Sequence, residues 1–180
     1  MKRLKITLMI IVLLLTNTFA QEGWFWQNPL PQGNSLFGVS FTDVNNGTAV
    51  GYFGTILRTT DGGDNWVSQT SGTTDWLYAV SFTDANNGTA VGELGTILRT
   101  TDGGDNWFSQ TSGTTDWLWE VSFTDINNGT AVGGLGTILR TTDGGDNWVS
   151  QTSGTTNPLI GVSFTDVNNG TAVGGIGTIL

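Results

Sequence analysis

The sequence contains no cysteine and no histidine, and only 6 lysines and arginines in 180 residues. Without cysteine there is no disulfide framework, no thiolate-held iron–sulfur cluster and no thiol nucleophile. Without histidine there is no Ser–His–Asp triad and no imidazole ligand for zinc or haem. Positive charge is scarce against 15 aspartates and glutamates, giving a net charge of -9. That balance argues against a nucleic-acid partner, whose phosphates need Lys and Arg to neutralise them. Prolines number 3 and tyrosines 2, and the apolar run Ile6 to Leu15 is too short to span a bilayer. Most enzyme chemistries are excluded, and no cofactor or metal is expected.

Residues 1–20 carry Lys2, Arg3 and Lys5, then the short apolar run, then a small residue, Ala20, before Gln21. This is the layout of a secretory signal peptide, so the expectation is an exported chain of residues 21–180 with no membrane span after cleavage. What remains holds Arg58, Arg99 and Arg140 against all 15 acids, a balance of -12. Such a surface repels anionic membranes as well as nucleic acid.

Twenty-seven glycines and a strict repeat dominate the rest. Val-Ser-Phe-Thr-Asp begins at Val39, Val80, Val121 and Val162, 41 residues apart each time. Residues 39–79 and 80–120 differ at 6 positions, and 80–120 and 121–161 at 7. The last copy stops at Leu180, within Gly-Thr-Ile-Leu, so the expectation is a fragment of a longer repeat protein or of an incompletely read gene.

Each unit reads as four short strands: Leu36 to Thr42, Thr48 to Val50, Thr55 to Thr59 and Trp66 to Thr70 in the first. Asn46-Gly47 between the first two suggests a type I′ hairpin turn, in which both central residues take positive φ. Asp61-Gly62-Gly63-Asp64 turns the chain before the fourth strand. A sheet of this size cannot bury both faces alone, so neighbouring units must stack and share a core. The predicted class is all-β, a β-propeller of four-stranded antiparallel blades, incomplete at about 3.5 to 4 blades. A linear β-solenoid is the rival, disfavoured because its strands run parallel.

The turn Thr59-Thr60-Asp61-Gly62-Gly63-Asp64-Asn65-Trp66 recurs at 100–107 and 141–148. It resembles the Asp-box, or bacterial neuraminidase repeat, with Asn65, Asn106 and Asn147 where the pattern prefers Thr. Asp61, Gly63 and Trp66, with Asp102, Gly104, Trp107, Asp143, Gly145 and Trp148, are expected to be structural. In these turns the Asp is expected to accept backbone N–H groups two or three residues on, the glycines to supply left-handed dihedrals and the Trp to anchor the hairpin. Asp61, Asp64 and Asn65 offer oxygens to a hard cation, but self-satisfied turn chemistry explains them without one. Asn46-Gly47-Thr48 and its copies match the glycosylation sequon, which hairpin chemistry explains without sugar.

Taken with Val-Ser-Phe-Thr-Asp, Thr-Ala-Val-Gly and Gly-Thr-Ile-Leu-Arg-Thr-Thr-Asp-Gly-Gly, the unit resembles those of the photosystem II assembly and stability factors, over about residues 24–180. That family consists of lumenal seven-bladed propellers. The resemblance implies a non-catalytic scaffold for a protein partner, secreted or in the cell envelope, and in the thylakoid lumen if the host is photosynthetic. A cell-surface glycan-binding or adhesive module is the alternative. A sialidase-like hydrolase comes third. Its chemistry resembles an arginine triad with a Tyr–Glu pair and an acid–base Asp. Here the arginines occupy one equivalent position per blade, and Tyr52 and Tyr78 meet Glu93 or Glu120 only by chance.

Differences between copies concentrate in two places. One is the turn holding Tyr52, Glu93, Gly134 and Gly175; the other is the connection holding Trp76, Trp117 and Pro158. In an up-and-down blade both emerge on one face, opposite the Asn-Gly and Asp-box turns. Tyr52, Trp76, Glu93, Trp117 and Trp119, with Tyr78, are therefore candidates for a partner- or ligand-binding rim. On simple alternation, Trp76, Tyr78, Val80 and Phe82 share a strand face, and the rings then pack between blades instead.

Overall fold

The computed structural model describes residues 33–180; the proposed signal peptide and residues 21–32 lie outside them. Three four-stranded antiparallel sheets follow one another, then a two-stranded one. The first sheet comprises β1 (Leu36–Phe41), β2 (Gly47–Gly51), β3 (Ile56–Thr59) and β4 (Val67–Gln69). The second comprises β5 (Leu77–Phe82), β6 (Gly88–Gly92), β7 (Ile97–Thr100) and β8 (Phe108–Gln110). The third comprises β9 (Leu118–Phe123), β10 (Gly129–Gly133), β11 (Ile138–Thr141) and β12 (Val149–Gln151). β13 (Leu159–Phe164) and β14 (Gly170–Gly174) open a fourth, to which Ile179 adds a bridge with Val173. Strand order within each sheet is sequence order, the up-and-down meander of a propeller blade. The arc of blades is not closed into a ring among the described residues.

The core lies in the seams between blades, as the size argument requires. Val50 and Ile56 of the first blade pack with Leu77, Val80, Ala90, Leu98 and Trp107 of the second. Ala79, Val91 and Ile97 of the second pack with Leu118, Val121, Ala131, Leu139 and Trp148 of the third. The first strands of successive blades run side by side and are tied once per seam: Phe82 N–H donates to Ser40 Oγ at 3.1 Å, and Phe123 N–H to Ser81 Oγ at 3.3 Å.

The Asn-Gly hairpin exists, but not as a type I′ turn. Neither Asn46 nor Gly47 has positive φ. The connection spans Thr42 to Asn46, closed by Thr42 N–H donating to Asn46 O at 3.0 Å. Asp43 organises it, its Oδ1 accepting the N–H groups of Asn45 and Asn46 at 2.8 and 2.9 Å. Gly47 is there for space. A Cβ would stand 2.4 Å from Cζ of Phe41, whose ring lies over the glycine, and the same Phe–Gly pair recurs in each blade.

Simple alternation also fails in the first strand of each blade. The register slips between Leu77 and Ala79, so Tyr78 is an extra residue in a β-bulge. Leu77 and Val80 then share one seam while Ala79 enters the next. Tyr78 thus leaves the strand face it would share with Val80, and Phe37, Trp119 and Ile160 hold the equivalent places.

Candidate functional site

The two faces differ in construction. On one, each Asp-box is closed by its own side chains. Thr59 Oγ donates to Asp61 Oδ1 at 2.8 Å and accepts Gly63 N–H at 2.9 Å. Asp61 accepts from Asn65, the backbone N–H at 2.9 Å and the amide at 2.8 Å, so its reach is four residues rather than the two or three expected. The Asn that departs from the Asp-box pattern is therefore a working part of the turn. These bonds, led by the Asn65 amide, hold the Asp61 carboxyl down to about 2, and Asp102 and Asp143 likewise. Gly62 and Gly63 take φ of 75° and 97°, which L side chains resist. Trp107 is buried edge-on to Phe82, its indole N–H donating 3.2 Å to Gln69 Oε1 of the preceding blade.

The arginines have a role the sequence did not disclose. Arg58 reaches forward from β3, donating to Thr48 Oγ at 3.0 Å and to Ala85 O at 2.8 Å in the next blade. Its guanidinium lies 5.2 Å from the Phe82 ring. Arg99 and Arg140 repeat the arrangement on Ile126 and Val167, so each ties one blade to the turn of the next. The signal was a partner 27 residues ahead, visible only once the fold is known.

The other face carries the variable residues. Tyr52 packs between Phe37 and Trp76, with ring centroids 4.6 and 4.1 Å away. Phe37 reaches Tyr78 at 5.5 Å, Tyr78 reaches Trp119 at 4.6 Å, and Trp119 meets Trp117 at 5.4 Å. The candidate rim residues Tyr52, Trp76, Trp117 and Trp119 thus belong to one chain of touching rings across three blades. Phe37 and Phe53, which were not singled out, extend it. Phe53 stands in left-handed backbone with φ 54°, as do Leu94, Leu135 and Ile176, and all four are exposed. A left-handed bulky apolar residue held out to water in every blade is the kind of strain that binding surfaces retain.

Glu93 joins the same surface. Its Oε2 accepts Trp76 N–H at 3.2 Å, and Tyr78 Oη donates to its Oε1 at 3.4 Å. The Tyr–Glu proximity, expected only by chance, is therefore a built contact. Burial first, then the Glu93 carboxylate, pushes the Tyr78 phenol up to about 12, which disfavours the phenolate a nucleophile needs. Glu120 follows Trp119 in β9; desolvation holds its carboxyl above the usual range, although it accepts Val121 N–H at 3.0 Å. No arginine of the described residues reaches this face.

A family model described as photosynthesis system II assembly factor YCF48 matches residues 17–109. The chain belongs to this family. Among solved structures, YCF48 bound to a D1 peptide is 26% identical with a TM-score of 0.69, over 81% of this chain and 48% of that one. YCF48 from Cyanidioschyzon merolae is 27% identical with a TM-score of 0.67, over 82% of this chain and 52% of that one. The chain spans about half the length of these YCF48 relatives. The GH74 enzyme of Niastella koreensis, at 14% identity and a TM-score of 0.61 over 80% of this chain and 28% of that one, shares the fold alone. No curated protein matches.

Proposed function

We propose that this chain is an exported, non-catalytic propeller scaffold that captures a segment of a protein partner on its variable face. The continuous aromatic strip from Phe37 to Trp119 carries the reading. Such rings combine large apolar area with few rotatable bonds and recur where binding energy concentrates. That a YCF48 structure holds a D1 peptide supports a peptide-like ligand. The separated arginines, Arg58 and Arg99 buried and Arg140 half-buried, and the raised Tyr78 phenol support a scaffold over a sialidase-like hydrolase. A glycan is the competing ligand, since exposed Trp beside carboxylates also suits sugar rings.

The test is a random-sequence peptide array probed beside a glycan array, with the full chain and its W76A/W117A variant. Peptide binding by the parent, lost at least tenfold in a variant whose near-ultraviolet circular dichroism shows a folded blade array, supports the reading. Glycan binding without peptide binding overturns it. For the export half, the precursor is expressed in a secreting bacterium and its exported product sequenced from the N-terminus. A start at Gln21 is expected, and a product retained inside the cell with Met1 intact refutes the export assignment.

A further inference from the structure

One position in the fold is filled differently in each of the three four-stranded blades. It is the first residue of the tight turn after the second strand, facing the bulged residue and the inter-blade connection. In the first blade it is Tyr52, wedged between Phe37 and Trp76. In the second it is Glu93, which accepts from Trp76 N–H and the Tyr78 hydroxyl. In the third it is Gly134, and the space a side chain would take is an open hollow of about 420 Å³. Trp117, Trp119, Leu135 and Pro158 wall it, and Asp116 stands on its rim. A Cβ built on Gly134 finds its nearest atoms, the Trp117 backbone N and O, 3.9 Å away, so the glycine is not there to relieve crowding.

Charge selects the occupant. Asp75, Glu93 and Asp116 lie along this face, while Arg58, Arg99 and Arg140 are all spent at the opposite one. A cation over a Trp face is attracted by the ring quadrupole, and two Trp rings with a carboxylate at the mouth suit one well. Asp116 accepts Thr137 Oγ at 2.7 Å through Oδ2, and a carboxylate has lone pairs beyond the one that bond uses.

We propose that the hollow at Gly134 is a socket for one arginine or lysine side chain of an extended partner segment, whose apolar residues lie along the ring strip toward Phe37. The cation rests on Trp117 and Trp119 with Asp116 as counter-ion, taking the place that Tyr52 and Glu93 fill from within the chain in the first and second blades. This rests on the peptide-binding reading above and names the chemistry of the peptide.

The experiment uses the full chain on a random-sequence peptide array graded by charge, at low and high salt. The retained peptides are expected to be enriched in Arg or Lys and to weaken at high salt. Replacing the critical arginine by citrulline, which keeps shape and removes charge, is expected to weaken them about tenfold. Gly134→Tyr is expected to do the same while leaving thermal unfolding unchanged, because Tyr52 shows that the position accepts this side chain. Trp117→Ala gives a second route should the Gly134 variant fold poorly. Retained peptides that are neutral or acidic, and indifferent to Gly134→Tyr, overturn the socket while peptide capture survives. No retained peptide, with or without oligosaccharide binding, overturns both.

Discussion

The two faces of each blade were built from the same repeat, yet one is copied almost unchanged and the other differs at every step. On the Asp-box face the side chains answer to each other: Thr59, Asp61 and Asn65 close the turn, while Arg58 and Gln69 reach into the next blade. A change at any one leaves a polar partner stranded in that blade or its neighbour. On the variable face, Tyr52, Glu93, Gly134 and Gly175 occupy the same backbone position with nothing polar in common. The bulge and the tight turn hold the chain there by backbone bonds, such as Glu93 N–H to Trp76 O at 2.9 Å, so the side chains are free to vary. Strength and adaptability have been put on opposite sides of a sheet only a few residues wide.

Predictions can press on that contrast. The largest effect is expected from Gly129→Val in the third blade, where even a Cβ would lie 2.4 Å from the Phe123 ring. Overpacking of this sort costs about 3 kcal/mol, read as a lowered urea midpoint. Arg99→Met should follow. It removes the bonds to Thr89 and Ile126 O and the contact with the Phe123 ring, leaving a buried hydroxyl short of its donor. About 2 kcal/mol is expected, mostly at the seam between the second and third blades, by denaturation and by hydrogen exchange of β10.

Next comes acid. Asp61, Asp102 and Asp143 have folded values of about 2, below the ordinary 3.8. Their contribution is therefore complete above about pH 4 and is lost as pH falls through about 2. Circular dichroism during acid titration should show stability falling in that window. The Asp→Asn triple variant should show a flatter profile, and an unchanged slope would refute the role given to these carboxylates. The smallest effect on folding is expected from Trp117→Ala, since that ring is 42% exposed. A loss of under about 1 kcal/mol by thermal unfolding would place it on the binding side of the contrast, and a loss near 3 would return it to the core.

Much of this was legible in the sequence. The 41-residue period, the four strands and the demand for a shared core led directly to seams such as Val50–Leu77–Trp107. Strand ends were read slightly long at Thr55 and Thr70, which lie outside β3 and β4, and short in the second strand, where β2 includes Gly47 and Gly51. Three features were hidden for physical reasons. Asn-Gly carries its hairpin preference in isolation, but here Asp43 and the Phe41 ring decide the geometry, and neither effect is local to the dipeptide. The bulge at Tyr78 changes which residues share a face, and no residue type announces it. The Arg58–Ala85 carbonyl tie and the Tyr78–Glu93 contact join residues 27 and 15 positions apart, so only the fold brings them together. The aromatic strip was half visible: Trp76 and Trp117 stood out as differences between copies, whereas Phe37 lies before the first full copy and was overlooked.

The forward-reaching contacts have a hereditary consequence. Arg58, Gln69 and Ser40 each grip the following blade and none reaches past it. A gene that gained or dropped one whole unit would therefore encode a protein in which these arginine, glutamine and serine contacts re-form at every junction. Near-identical tandem copies are prone to that kind of slippage, and this architecture lets the array lengthen or shorten while new rings and hollows are tried out on its changeable side.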